Sequence, residues 1–267
     1  MQTLSCYAAI VLAATATFAH AEGQVSYDPS IQHQPKDNVV RLYGAGGPHT
    51  AFQKVADLWM KKTGDKVEIT AGPEASWSKK AQADADIIWG TAEHAMTAFL
   101  QTYRTFSSDQ VLPIYIRPTV IAVQKGNPKQ IHSFSDLLKD GIKIVVTEGA
   151  GVANTSGTGT WEDVAGRLGS LSDVRAFRKN IVAFSPGSGA SFKAFAELGA
   201  DAWITWPNWP ATKSDVLEEV PIAKERQIWR DVSIAVAPDA DQQARDFAAF
   251  LETPEAAELM KTEGWTR

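Results

Sequence analysis

Four short runs of small and hydroxyl-bearing residues carry the chemistry this sequence offers. They are Gly44-Ala45-Gly46-Gly47-Pro48-His49-Thr50, Gly72-Pro73-Glu74-Ala75-Ser76-Trp77, Asn154-Thr155-Ser156-Gly157-Thr158-Gly159-Thr160-Trp161 and Ser185-Pro186-Gly187-Ser188-Gly189-Ala190-Ser191. Each stands where a strand should pass into a helix. A helix start leaves backbone N–H groups unpaired and carries the positive end of the dipole, so several starts turned to one point would hold an anion. Taken singly, Gly and Ser at such places cap helices and make turns in most proteins. Four such turns, with few bulky residues between the donors, favour one shared anion site.

Other chemistries lack their residues. There is no G-x-x-x-x-G-K-[ST] run, the turn at 44–47 lacks full G-x-G-x-x-G spacing, and neither H-E-x-x-H nor G-x-S-x-G occurs. The histidines are too scattered for a metal cluster. No catalytic residue, metal or cofactor is therefore expected, and the alternative of another class is a phosphate-handling enzyme built on the 44–47 turn. A net charge of -5 without any run of Lys or Arg argues against nucleic acid or an anionic membrane as partner. The expected partner is small.

The elements that would position these turns can be read from hydrophobic periodicity. Residues 4–19 carry no charge and lead into Ala19-His20-Ala21, which predicts a cleaved signal peptide over 1–21 and export to the periplasm. Cys6 lies within it, so the mature chain would have no thiol. An exposed polar lead, 22–37, follows. Strands are expected at 39–43, 67–70, 86–90, 142–147, 181–184, 202–205, 216–222 and 232–236, with an extended run over 112–124 broken by Pro113 and Pro118. Phe52, Val55, Ala56 and Trp59 make a helical stripe that ends at Gly64. Further helices are expected from 76, at 92–101, 133–139, 160–168, 172–179, 189–198, 239–251 and 254–262. This alternation predicts an α/β chain in two lobes, each a mostly parallel sheet flanked by helices with a ligand cleft between them. Lobe 1 would comprise 38–116 and 224–267, lobe 2 117–223, with a hinge near 113–118 and 221–230.

From Lys125-Gly126-Asn127-Pro128 through Asp140-Gly141 the chain resembles the periplasmic sulfate-binding proteins. The run 154–161 is similar to their Lys-Thr-Ser-Gly sulfate loop, and Ile204-Thr205-Trp206-Pro207-Asn208 to their Ile-Ala-Trp-Glu-Asn segment. Tyr43 to Ala51 and Ala85-Asp86-Ile87-Ile88-Trp89-Gly90 resemble the accessory colonisation factor AcfC group. The resemblance runs from about residue 38 onward. It implies a binding protein in which backbone N–H groups, Ser hydroxyls and one Trp indole grip an oxyanion. Carried over by position, it implicates Thr155, Ser156, Gly157 and Thr158, then Ala75 and Ser76, then Gly189, Ala190 and Trp206. Gly46, Gly47, His49 and Thr50 of the first turn join them as candidates, although that turn departs from the sulfate pattern, as does Glu74. The implied ligand is a small tetrahedral oxyanion, sulfate first, with molybdate, phosphate or a small carboxylate as alternatives. The implied partner is an ABC transporter permease, the chain being a monomer, and signalling or colonisation is the alternative role.

Sulfate only accepts hydrogen bonds, so a site of neutral donors suits it. Charge-assisted bonds contribute roughly 1.5–3 kcal/mol each and each helix terminus up to about 2 kcal/mol, against about 8 kcal/mol for micromolar affinity. Five or six donors would suffice without a Lys or Arg. On this reading Glu74 faces outward at a helix start, the alternative being an inward carboxylate that repels sulfate but takes a proton from hydrogen phosphate; Arg117 takes part in a solvated ion pair rather than adding positive charge to the cleft; and His94 and His132 are surface or capping residues. His49 either donates to the anion or caps its helix. Trp77, Trp89, Trp161, Trp203 and Trp209 pack in the core or at the rim.

Overall fold

The computed structural model describes residues 25–148 and 155–267; the expected signal peptide, Cys6 and Asn154 lie outside them. The first half runs β1 (Val39–Gly44), α1 (His49–Thr63), β2 (Lys66–Ala71), α2 (Ser78–Asp84), β3 (Ile87–Gly90), α3 (Glu93–Thr102), β4 (Leu112–Pro118), β5 (Val120–Gln124) and β6 (Ile144–Thr147). Then come α4 (Thr160–Gly166), α5 (Leu171–Lys179), β7 (Ile181–Ser185), α6 (Ser188–Glu197), β8 (Ala202–Thr205), α7 (Asn208–Thr212), β9 (Leu217–Pro221), β10 (Trp229–Val236), α8 (Gln242–Leu251) and α9 (Pro254–Lys261).

The strands form two five-stranded sheets, ordered β2-β1-β3-β10-β4 and β7-β6-β8-β5-β9. In the first, β10 runs against its neighbours β3 and β4 while the other strands share one direction. In the second, β5 plays the same part between β8 and β9. The chain crosses once through Thr119, between β4 and β5, and returns between β9 and β10. These two crossings are tied together: the Thr119 N–H donates to the Ile228 carbonyl at 2.7 Å, and the Ile228 N–H to the Thr119 hydroxyl at 3.2 Å. Pro113 and Pro118 lie on β4, an edge strand, where a missing N–H leaves the ladder intact.

Alternation along the strands separates the cores. In the second sheet Ile121, Val123, Ile144 and Val146 pack with Trp161, Val164 and Phe177 on one face. Ala122, Val145 and Trp203 face Phe195 and Leu217 on the other. That two-residue period is what a sheet covered on both faces requires. In the first lobe the stripe Phe52, Val55, Ala56 of α1 is buried, and the helix stops at Gly64 in a left-handed conformation.

Three details differ from expectation. The helix expected at 133–139 is a 3-10 helix, Phe134–Leu138. The short α7 was not expected; Pro207 caps it and Pro210 lies in its first turn, where Pro is tolerated. The lead over 25–37 is mostly exposed in its side chains, but its backbone is fastened to the first lobe by Gln82, Ala83 and Asp241.

Candidate anion site

The first turn follows β1 and opens α1 at His49. Gly47 has φ +125°, and a Cβ placed on it would lie 3.3 Å from Nη2 and 3.4 Å from Nη1 of Arg117. Glycine is thus needed twice over, for the backbone conformation and for the close approach of a guanidinium. The Gly47 N–H donates to His49 Nδ1 at 3.3 Å. Burial pushes the His49 pKa down, partly offset by the Glu263 carboxylate. A neutral imidazole accepting at Nδ1 carries its proton on Nε2, as a donor. The Thr50 hydroxyl donates to Glu263, which is buried and also pairs with Lys54 at 2.8 Å.

Arg117, in β4, is the centre of the arrangement. It is 1 % exposed. Nη1 donates to Asn208 Oδ1 at 2.6 Å and Nη2 to Ser156 Oγ at 3.1 Å, both residues of the second lobe. The guanidinium lies over two indoles, 4.6 Å from the Trp206 ring centre and 4.2 Å from that of Trp265. Its Nε–H has no acceptor, and among the described residues no carboxylate pairs with it. Burial pushes its pKa down, but a guanidinium keeps its proton at neutral pH. The expected solvated ion pair is therefore not what Arg117 makes: it is an uncompensated buried cation. Such a charge is costly unless a partner anion arrives.

The third and fourth turns meet on β6. A Cβ placed on Gly157 would lie 2.7 Å from Thr147 Cγ2, at the end of that strand. The Thr147 and Ser191 hydroxyls are 2.7 Å apart, which brings the first turn of α6, with Gly189 and Ala190, beside the 155–158 loop. Thr158 Oγ1, Thr91 Oγ1, Trp206 Nε1 and Trp265 Nε1 are buried without a partner. Thr91 also neighbours Gly47, its Cγ2 lying 3.6 Å from the same built Cβ. Two contacts cross between the lobes nearby. His94 Nε2 lies 3.0 Å from the Thr155 carbonyl, so this histidine does more than decorate the surface, and Arg230 pairs with Asp163 at 2.7 Å.

The structure thus joins Gly47, Ser156 and Trp206 directly on Arg117, and links Thr155, Gly157, Thr158, Gly189 and Ala190 through neighbouring contacts. Gly46, His49 and Thr50 belong to the Gly47 turn. Ala75 and Ser76 stand apart. They are exposed on a three-residue 3-10 helix, Glu74–Ser76, and the Ser76 hydroxyl and N–H both go to the Pro73 carbonyl. No described contact joins them to Arg117. Glu74 accepts from the Tyr103 hydroxyl at 3.0 Å, so its carboxylate turns to the end of α3 rather than out to solvent. Trp77, Trp89, Trp161 and Trp203 are buried in the cores, and Trp209 stacks on Phe192, as expected.

Residues 40–266 match the family described as bacterial extracellular solute-binding protein. The chain belongs to that family. A sulfate-binding protein of Escherichia coli K12 is 27% identical over 172 residues, covering 56% of this chain, and the chain spans about half, 51%, of that relative's length. The L-phospholactate-bound structure of PEB3 is 42% identical with a TM-score of 0.82, covering 85% of this chain and 99% of that one. Peb3 from Campylobacter jejuni gives 41% and 0.81 at the same coverage. The molybdate-binding protein of Azotobacter vinelandii, 14% identical with a TM-score of 0.66 over 85% of this chain and 99% of that one, shares the two-lobed fold. No helix among the described residues is long and apolar enough to cross a membrane.

Proposed function

We propose that this protein is a periplasmic receptor that closes its two lobes on a small tetrahedral oxyanion group and hands it, as a monomer, to an ABC permease. Binding is the function, not catalysis. The observation that carries this reading is Arg117: a buried cation without a carboxylate, ringed by polar atoms that lack partners. An anion satisfies both deficits at once. The first N–H groups of α1 and the Ser156 N–H supply the remaining donors, from different lobes, the Gly47, Gly157 and Thr158 N–H groups being bonded within their own turns, and the hinge lies at the paired crossings around Thr119 and Ile228.

Sulfate is the ligand that the curated relatives suggest, and neutral donors alone would hold it. A full positive charge at the centre favours an anion over a neutral ligand, whether it carries two negative charges or more. A phosphate monoester carries about -1.5 to -2 at neutral pH, and a carboxylate on the same molecule adds one more. L-phospholactate, bound by the PEB3 relative, is such a molecule. A phosphorylated hydroxy acid is therefore the second reading, and the PEB3 relative supports it. The test is calorimetric titration of desalted protein with sulfate, molybdate, phosphate, lactate and L-phospholactate. Heat with L-phospholactate and none with lactate supports the phosphoryl reading, and heat with sulfate or molybdate alone supports the inorganic one. Silence with every tetrahedral anion ends the oxyanion reading.

A further inference from the structure

Beyond the donors, the segment after α9 reaches the same site. Thr266 exchanges two backbone hydrogen bonds of 2.8 Å with Ile116, so Trp265 and Arg117 lie next to one bridge. Trp265 is fully buried and belongs to the first-lobe core. Gly264, at φ +81°, abuts Pro207 of the second lobe so tightly that an added Cβ would come 2.2 Å from the proline Cβ. The residues adjoining that contact, Trp265 on one side and Trp206 on the other, are the two indoles that hold the guanidinium. One indole comes from each lobe.

We infer that Trp265 is a positioning residue for Arg117, and that the Gly264–Pro207 contact sets the indole spacing that fixes the guanidinium for its anion. The inference rests on the oxyanion reading for its binding consequence, but not for its structural one. A flexible Arg loses rotamer freedom when it binds. Holding the plane between two rings beforehand removes that cost and keeps the guanidinium aligned for an anion between the lobes. The bridge from Thr266 to Ile116 fixes the backbone beside Trp265 and Arg117, and the indoles act on the guanidinium plane together with its hydrogen bonds to Asn208 and Ser156.

The test compares Trp265→Leu, Trp265→Phe and Gly264→Ala with the parent protein. The first readout needs no ligand: the Arg117 Nε–H proton resonance in labelled protein, which stacked indoles displace by ring current and burial protects from solvent exchange. The second is calorimetric affinity for sulfate and L-phospholactate, with far-UV circular dichroism to check folding. Trp265→Leu should return the resonance toward the position of a free arginine and weaken binding at least tenfold. Trp265→Phe, which keeps an aromatic face, should recover most of both. Gly264→Ala keeps the indole but displaces it, and should shift the resonance and weaken binding even if Trp265→Leu fails to fold. An unmoved resonance in folded Trp265→Leu or Gly264→Ala overturns the inference, as does a moved resonance with unchanged affinity. If the parent protein binds neither anion, the oxyanion reading fails while the resonance still decides whether Trp265 positions Arg117.

Discussion

Replacing Arg117 separates an anion site from a merely structural guanidinium, because the two roles move affinity and stability in different directions. Of five guanidinium N–H groups, the structure commits one to Asn208 and one to Ser156 and leaves Nε–H without an acceptor. Arg117→Lys keeps the charge but cannot present the same edge while serving both neighbours. Loss of one charge-assisted bond, about 1.5–3 kcal/mol, weakens binding roughly 10- to 150-fold. Arg117→Met removes the charge as well, and loss of two such bonds gives about 10²- to 10⁴-fold. At ligand equal to 100 times the parent Kd, binding stabilises the parent by about 2.7 kcal/mol, and a thirtyfold weaker Lys variant by only about 0.9 kcal/mol. Without ligand, Arg117→Met should melt within a few degrees of the parent, since losing the Asn208 and Ser156 bonds is offset by removal of an uncompensated buried charge. Calorimetry and thermal melts with and without anion measure all of these. Binding by Arg117→Met within threefold of the parent would refute the reasoning, and so would a collapse of the ligand-free fold with an unchanged ligand-induced shift.

Ser156→Ala removes one neutral partner of Arg117 and a hydroxyl at the loop, and should weaken anion binding about 5- to 30-fold, the worth of about 1–2 kcal/mol, by calorimetry. Ser76→Ala, outside the Arg117 contacts, should change affinity less than twofold; a tenfold loss would restore the second turn to the site. Burial pushes the Asp86 carboxyl up to about 6, against its hydrogen bond from the Arg41 N–H. The folded state therefore binds a proton more readily than the unfolded state. Its contribution to stability rises as pH falls from 7 toward 4 and is lost as pH rises through 6. Asp86→Asn should flatten the melting temperature between pH 5 and 7.5, and an unchanged slope would show that other groups set it.

Most of the fold was legible because it is local. The Phe52, Val55, Ala56 stripe and the stop at Gly64 define α1 without reference to anything distant, and alternation in 120–124 and 144–147 puts opposite residues on opposite faces. The exceptions are also local in cause. In the 133–139 segment Asp136 and Ser133 satisfy one another and the backbone in a capping box, which holds a 3-10 turn where a full α-helix was expected. At Asp241, the carboxylate accepts the Asp37 and Asn38 N–H groups instead of capping α8, so the lead is bound to the lobe by a residue two hundred positions away. Periodicity contains no term for such a partner.

The site divides the same way. Turns at strand ends are local, so the turns at Gly47, Ser156 and α6 could be named in advance as turns, whereas the Ser76 turn lies outside the Arg117 contacts because a three-residue 3-10 turn closes its own donors. Arg117 was weighed as a charge for the cleft but read as a solvated ion pair, because apolar alternation through Leu112, Ile114 and Ile116 would place it on the outer face, whereas in the structure Ile116 is exposed and Arg117 buried. What periodicity could not show is what the guanidinium meets there, because Ser156 and Asn208 are 39 and 91 residues away. On the proposed reading, that meeting sets the sign of the ligand's charge. A carboxylate in either position would have made Arg117 a structural ion pair and left sulfate-like neutral binding as the best reading. A hydroxyl and an amide oxygen, with two indole faces, hold the cation in place without neutralising it, and so leave its charge to be met by whatever enters between the lobes.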